Sequence, residues 1–274
     1  MGGLTALRKA KLPDLTIAFG KNNFAQAQIS TFCGWLAQLQ EVRRCAALGV
    51  RGFEIGSHVG EKSLDHADFW PLYKECEDLG LVLFVHPWDM HSWDGRLSKY
   101  WMPWLVGMPS ETAQAICSVL MGNVLLRFPR LRFCFAHGGG SYPMIAGRVA
   151  HGYKVRPDLC ATDCLTSPSV LQHSIWADSL VHDPTALHLL INVVGKDKIV
   201  LGTDYPFPLG ELEVGKVIED YELFSGNEKD QLLWSNAIEL FRLDENSLFR
   251  PITLNFSSIM SLIFILTFIE ALMG

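Results

Sequence analysis

Four short apolar runs, separated by segments with helical periodicity, constrain the fold of this chain more than any other feature. The runs are GFEIG (52–56), LVLFV (81–85), LRFCFA (131–136) and KIVLG (198–202), and few polar residues interrupt them. Strands that are buried on both faces of a parallel sheet have this composition, whereas half-solvated strands alternate apolar and polar residues. The alternation of strands and helices therefore predicts an α/β fold with a parallel sheet.

The segments between the runs predict helices with defined ends. Residues 69–79 carry an apolar stripe with spacings of three and four, and Gly80 stands where a helix commonly ends. Ser110 is a candidate N-cap for a helix that must end before Pro129. Asp183 is a candidate N-cap for another helix, and the proline that follows it suits the first helical position.

Two parallel α/β architectures compete for this pattern, an open doubly wound sheet and a closed (β/α)8 barrel of the TIM type. The segment HGGGSYP (137–143) has glycines after a strand, but it lacks the last glycine of the GxGxxG nucleotide loop. A barrel gathers the carboxyl ends of all its strands on one face. Because several runs end in reactive polar residues, the sequence favours the barrel.

Three of the predicted strands end near side chains that bind metals or transfer protons. His86 follows LVLFV, His137 follows LRFCFA, and Asp204 follows KIVLG after a threonine. A single histidine at a strand end is commonly structural, but three such endings on one barrel rim would converge into a pocket. Histidine and aspartate are suitable zinc ligands, so the pattern predicts a metal site. His58 also follows a strand, and a pocket or supporting role stays open for it.

Charge and cysteine content exclude several function classes. The net charge of −6 leaves no Lys/Arg surplus to face phosphates, which argues against a nucleic-acid partner. The seven cysteines form no CxxC pair, as expected for reduced thiols in the cytosol. The first residues, MGGLTALRKAKLPDL, contain no apolar stretch typical of a secretory signal.

The segment at residues 252–274 differs in composition from everything before it. It is apolar and contains one charged residue, Glu270. Its length permits a membrane anchor, but six serine, threonine and asparagine residues interrupt it and no Lys/Arg cluster follows. The favoured interpretation is a divergent tail that is non-native or alternatively encoded, and no membrane partner is expected unless this segment provides the contact.

Five longer motifs resemble the aminocarboxymuconate-semialdehyde decarboxylase family of the metal-dependent amidohydrolase superfamily. They are LFVHPWDM, GRLSKYWMPWLVGMPSET, FCFAHGGGSYP, GRVAHGYKVRPDLC and GKDKIVLGTDYPFPLGELE. The resemblance implies a (β/α)8 barrel, a bound zinc ion and a homodimer. It also implies a small carboxylate substrate, an amino-semialdehyde of tryptophan catabolism that loses CO2 without oxidation.

The same resemblance implies roles for individual residues. His86 and Asp204 match two zinc ligands of the family, and His137 matches a histidine with an acid/base role on water at the zinc. Arg148 matches an arginine that reaches a substrate carboxylate from a neighbouring subunit. Trp104 and Phe207 match aromatic residues of the substrate pocket. A fixed guanidinium suits a planar carboxylate, since it can donate two parallel hydrogen bonds.

The sequence departs from the family pattern in one chemically important respect. The family supplies two further zinc ligands as a His-x-His pair on its first strand, and this chain contains no such pair. We therefore divide the chain into a divergent segment 1–48, a partial barrel 49–250 and the tail 251–274. Weak zinc binding and slow turnover are expected of the 274-residue chain. Two alternatives stay open: a related hydrolase or aromatic-acid decarboxylase, and a non-catalytic variant that binds a full-length relative.

Overall fold

The predicted strands form one parallel sheet. The computed structural model describes residues 35–88, 90 and 95–243. Strand β1 (Gly52–Gly56) is followed by a short antiparallel pair, β2 (His58–Val59) and β3 (Lys62–Ser63). The remaining strands are β4 (Val82–His86), β5 (Arg132–Phe135), β6 (Trp176–Asp178) and β7 (Ile199–Val200).

The order of the strands in the sheet is β1-β4-β5-β6-β7, and all four pairings are parallel. Each strand pairs with the next one along the chain, apart from the small β2–β3 pair. A doubly wound sheet reverses its strand order at a switch point, and the described strands show no such reversal. This sequential order is the one that a closed barrel requires.

Helices fill the connections between the strands. The main ones are α1 (Trp35–Ala47), α2 (Trp70–Leu79), α3 (Met108–Met121), α4 (Val124–Arg127), α5 (Tyr142–Val155), α6 (Pro157–Cys160), α7 (Pro168–Leu171), α8 (Pro184–Val194), α9 (Lys216–Glu219), α10 (Gly226–Asp230) and α11 (Asn236–Phe241). Five-residue π-helical segments, Pro103–Gly107 and Gln231–Ser235, precede α3 and α11. Short 3-10 turns occupy Ala67–Phe69, His137–Gly139, Gln172–Ser174 and Lys196–Lys198.

The strands are buried on both faces, as their unbroken apolar composition predicts. On one face, residues such as Phe53, Leu83 and Phe133 join the core that packs against the helices. The opposite face carries Phe84 and Cys134, which are directly paired in register and are also buried. This second face points away from the helices of that core.

Two of the predicted helix ends are confirmed. Helix α2 ends at Gly80, which has a φ of 67° and so occupies the left-handed region that glycine adopts without strain. Helix α8 begins after Asp183, whose carboxylate accepts hydrogen bonds from the backbone N–H groups of Thr185 and Ala186. These caps satisfy backbone groups that have no partner within the helix.

The prediction that Ser110 caps a helix is wrong. The helix is continuous with the preceding π-helical segment, so Ser110 lies inside it and donates its hydroxyl hydrogen bond back to the carbonyl of Val106 at 2.8 Å. Strand β6 was not predicted, because it has only three residues and the apolar run IWA (175–177) that leads into its aspartate is short.

Some features of the sequence lie outside the described residues. They include the apolar tail at 252–274 and most of the divergent segment 1–48. Among the helices that the structure describes, none has the length and apolar character needed to cross a membrane.

Candidate metal centre

Three side chains from different strand ends meet at one edge of the sheet. His86 is the last residue of β4, His137 lies two residues beyond β5, and Asp204 lies four residues beyond β7. One ligand atom from each residue lies within 4.8 Å of the other two. His86 Nε2 is 3.9 Å from Asp204 Oδ1, and His137 Nε2 is 3.8 Å from Asp204 Oδ2. The structure thus brings together the three residues that the sequence pattern singles out.

The environment of His86 suits a metal ligand. Its Nδ1 lies 3.0 Å from the carbonyl oxygen of Pro87, which can only accept a hydrogen bond, so Nδ1 carries the proton and Nε2 keeps a free lone pair. Burial, together with the nearby His137, lowers the pKa of His86 to about 4, although Asp204 acts in the opposite direction. His86 is therefore neutral at pH 7, which is the form that binds a metal.

The pKa of His137 is shifted in the opposite direction, although the ring centroids of His137 and His86 are only 5.0 Å apart. Burial lowers the pKa of His137, but the Asp204 carboxylate, 3.8 Å from its Nε2, and the charge of Asp178 outweigh this effect and raise the pKa. His137 therefore holds a proton more readily than an ordinary histidine. Neighbouring groups with divergent pKa values are typical of sites where one group transfers protons and another does not.

Asp178, at the end of β6, supports the His137 loop and was not predicted as a site residue. It is 4% exposed, and its Oδ1 accepts hydrogen bonds from the backbone N–H groups of Gly138 at 2.8 Å and Leu180 at 3.1 Å. Burial raises the pKa of Asp178, whereas His137 and these hydrogen bonds act in the other direction. The sequence signal was an aspartate directly after Ile175, Trp176 and Ala177, which is the same ending that identified the other strands.

The backbone at the site is held in an uncommon conformation. His137 has a φ of 56° and Asp204 a φ of 52°, both in the left-handed region that residues other than glycine seldom adopt. After His137, Gly140 packs so tightly that an added Cβ would lie 2.4 Å from the carbonyl oxygen of Pro109. Backbone strain of this kind persists only where the surrounding structure enforces it, and it concentrates at functional sites.

The three remaining predicted site residues are more exposed. Arg148 lies on α5 with its side chain in solvent, and it forms no ion pair with any residue that the structure describes. Trp104 is 43% exposed and packs against Trp101 with ring centroids 5.8 Å apart. Phe207 is 61% exposed, and its backbone N–H donates to the carbonyl oxygen of Asp204, so it belongs to the loop that carries that carboxylate.

The donor set fits a divalent metal ion of the first transition row or zinc. Two imidazoles and one carboxylate combine nitrogen and oxygen ligands, and the usual catalytic zinc site has three protein ligands. The neutral state of His86 and its oriented Nε2 agree with this function. His137 is either the third ligand or a proton-transfer group beside the metal, as its raised pKa favours.

Comparison with protein families assigns the chain to a class. The model of the amidohydrolase family matches residues 33–243, and the chain belongs to this family. The fold class is thus the TIM-type α/β barrel, as predicted, and the described residues contain a five-stranded parallel part of it. A dihydroxybenzoic acid decarboxylase from Polaromonas, solved with bound manganese and the inhibitor 2-nitroresorcinol, shares this fold with a TM-score of 0.63 and 20% identity. The match covers 77% of this chain and 67% of that one.

Two relatives with higher sequence identity carry the same enzyme name. The chain is 61% identical over 239 residues to 2-amino-3-carboxymuconate-6-semialdehyde decarboxylase of Caenorhabditis elegans. It is 51% identical over 211 residues to the enzyme of that name from Dictyostelium discoideum. Each match covers 77% of this chain, but only 60% and 58% of the respective relatives. The chain therefore spans about three fifths of the length of these relatives.

Proposed function

We propose that this chain catalyses the non-oxidative decarboxylation of 2-amino-3-carboxymuconate semialdehyde with a zinc ion at the His86–His137–Asp204 site. The observation that carries the proposal is the meeting of these three side chains in a chain 61% identical to a decarboxylase of that name. The resemblance of the sequence motifs points to the same reaction. That reaction belongs to the kynurenine branch of tryptophan catabolism and limits the formation of quinolinate.

The reaction breaks one carbon–carbon bond and forms one carbon–hydrogen bond. The departing carboxylate becomes CO2, the electron pair of the broken bond stays on the substrate carbon, and a proton adds there. No oxidant or reductant is required. His137 is suited to hold and deliver this proton, because Asp204 and Asp178 raise its pKa.

His86 and Asp204 would hold the cation. When bound, a divalent cation supplies Lewis-acid stabilisation of the negative charge that develops in the reaction. His86 is prepared for this role because its Nδ1 faces the Pro87 carbonyl and its pKa is lowered to about 4. Protonation therefore does not compete with metal binding near neutral pH.

Substrate binding would use a second copy of the chain. We propose a homodimer in which Arg148 of the partner subunit binds a substrate carboxylate, while Trp104 and Phe207 contact its apolar part. The exposure of Arg148 on α5 supports this role, since an arginine that is already paired within its own chain would not be available. A guanidinium and a carboxylate form two parallel hydrogen bonds, which fixes the orientation of the substrate.

One observation favours a second candidate function. The sequence contains no His-x-His pair, which in the family supplies two more metal ligands. A non-catalytic variant that binds a full-length relative accounts for this departure. A related hydrolase or aromatic-acid decarboxylase is a further alternative within the same fold.

We also propose that the protein works in the cytosol. The six cysteines of the described residues are all free, and four of them, Cys45, Cys76, Cys134 and Cys164, are buried in the interior. Free buried thiols are typical of proteins in reducing compartments.

Metal analysis and a spectrophotometric decarboxylation assay on the purified chain test the proposal together. We expect zinc-dependent loss of the substrate absorbance, which chelation abolishes and zinc restores, at a lower rate than for a relative that has the His-x-His pair. Replacing His86 with alanine should abolish the turnover. Absence of turnover at saturating zinc would favour the non-catalytic variant, and turnover on an aromatic acid alone would favour the alternative decarboxylase.

A further inference from the structure

The carboxyl end of β1 lies directly beside the carboxyl end of β4. Gly56 is paired in register with His86, so the residues that follow each of them are also neighbours. Gly56 allows this close approach, because an added Cβ would lie 2.9 Å from the carbonyl oxygen of His58 and 3.4 Å from the Cβ of Trp88. Two contacts connect the segments: Trp88 N–H donates to Ser57 Oγ at 3.3 Å, and His58 Nε2 lies 3.1 Å from the Trp88 carbonyl oxygen.

His58 makes an unusual pair of contacts. Its Nδ1 lies 2.8 Å from the carbonyl oxygen of Gly60, while its Nε2 faces that of Trp88. A carbonyl oxygen only accepts hydrogen bonds, and a neutral imidazole has only one N–H. A neutral ring therefore donates to one of these two oxygens, and either contact ties His58 to its loop or to the segment after β4.

Glu111, on α3, lies beside both Ser57 and His58. Its Oε2 is 3.9 Å from His58 Nε2 and also accepts a 3.4 Å hydrogen bond from Ser57 Oγ. The Ser57 side chain belongs to a residue that is only 3% exposed. Ser57, His58 and Glu111 thus form one connected group, which we call the β1-end cluster.

The β1-end cluster is connected to His86 through a single peptide unit. The carbonyl of Pro87 and the N–H of Trp88 belong to the same planar amide. Its oxygen lies 3.0 Å from His86 Nδ1, and its N–H donates to Ser57 Oγ. His58 Nε2 contacts the next carbonyl oxygen along the chain, that of Trp88. Any group that fixes this amide plane also fixes which nitrogen of His86 carries the proton.

We propose that Ser57, His58 and Glu111 are positioning residues that keep His86 in its Nδ1–H form, with Nε2 directed at Asp204 and the metal. The proposal rests on the proposed function only in taking His86 to be a metal ligand. Groups that hold the second nitrogen of a ligating histidine commonly change metal affinity by about 10–100-fold when removed. Because the β1-end cluster acts through an intervening amide, we expect the lower part of that range.

Two measurements on the full chain test this role. The first uses long-range proton–nitrogen NMR of the metal-free chain, which distinguishes the two neutral forms of His86. The second is the zinc dissociation constant, measured by competition with a chelator. In Ser57→Ala and His58→Ala we expect His86 to populate both neutral forms and zinc to bind about 10-fold more weakly. Ser57→Thr keeps the hydroxyl and should keep both properties.

His66→Asn is the matched control. His66 is an exposed histidine whose ring accepts a hydrogen bond from Asp68 N–H at the start of a 3-10 turn, and asparagine can accept the same bond. In this variant, the neutral form of His86 and the zinc affinity should equal those of the wild type. Glu111→Gln removes only the charge of a partly exposed side chain, so it tests the β1-end cluster should His58→Ala fail to fold.

The proposal is overturned if Ser57→Ala and Glu111→Gln both leave the His86 form and the zinc dissociation constant unchanged. Failure of the proposed function gives a different result. A wild-type chain that binds zinc without turnover refutes the decarboxylase proposal, while the affinity comparison still decides the role of the β1-end cluster. If the wild type binds no zinc, the NMR measurement on the metal-free chain decides it.

Discussion

His86 and His137 are chemically identical side chains, yet Asp204 and their unequal surroundings direct them to different tasks. Asp204 contacts both, at 3.9 Å and 3.8 Å. Its carboxylate raises the pKa of His137, whereas the pKa of His86 is lowered by burial and by His137. One carboxylate therefore lies between two histidines whose pKa values shift in opposite directions, as the proposed ligand and proton carrier require.

Asp204→Asn separates charge from shape at this position. Asparagine has almost the same volume and tolerates the φ of 52°, so the backbone should be retained. Because the negative charge disappears, we expect the pKa of His137 to fall in the metal-free chain and zinc affinity to decrease by more than about 100-fold. A proton NMR titration and chelator competition measure the two effects. An unchanged pKa of His137 would mean that Asp204 does not stabilise the protonated imidazole.

A pair of glycine substitutions tests the strained loop beside His137. Gly140 has a φ of 61° and lies against the Pro109 carbonyl oxygen, so Gly140→Ala should lower the free energy of unfolding by about 1–3 kcal/mol. Gly152, inside α5, has no atom within 4 Å of an added Cβ, so Gly152→Ala should raise it by about 0.5–1 kcal/mol. Urea unfolding of both variants gives the comparison, and equal effects would contradict it.

At the scale of elements, the strands were predictable because they are buried on both faces, and the predictions failed where the pattern was short or local. GFEIG forms β1 over the predicted residues, but β6 has only three residues and its apolar run is short. The convergence of His86, His137 and Asp204 followed from strand direction alone, and Asp178 was missed only because β6 was. The contacts of the β1-end cluster depend on loop geometry that no periodicity encodes.

Helix α10 shows how one acidic residue stabilises an element in a pH-dependent way. Glu228 pairs with Lys196 and closes a capping box with Ser225, and these contacts lower the pKa of Glu228 to about 2. An unperturbed glutamate titrates near ~4.3, so the stabilisation is complete above that pH and is lost as the pH falls through about 2. Glu228→Gln should therefore lower the Tm at pH 7.

The same variant provides its own control at low pH. As the pH falls toward about 2, the carboxyl group of the wild type becomes protonated, and its advantage over glutamine should disappear. Thermal unfolding followed by circular dichroism between these limits measures the difference. A gap in Tm that stays constant over the whole range would mean that the charge of Glu228 contributes nothing.

At the scale of the whole molecule, the proposed dimer determines where each site obtains its arginine. Arg148→Ala and His137→Asn chains should each be inactive alone. In a dimer with two-fold symmetry, a mixed pair has one site that combines an intact His137 with an intact Arg148 from the partner subunit. An equimolar mixture should therefore recover about a quarter of the wild-type turnover. A mixture that stays inactive would show that Arg148 does not act across subunits.

The sequential order of the strands has a consequence for biosynthesis. Because β4 pairs with β1, β5 with β4, and so on to β7, each strand can join a partner that has already left the ribosome. His86 and His137 emerge long before Asp204, which follows the last described strand. The nascent chain thus has a growing sheet before it has a complete set of donors. Metal capture at the proposed site would then follow the pairing of β7, and it would be withheld from chains whose synthesis stops before Asp204.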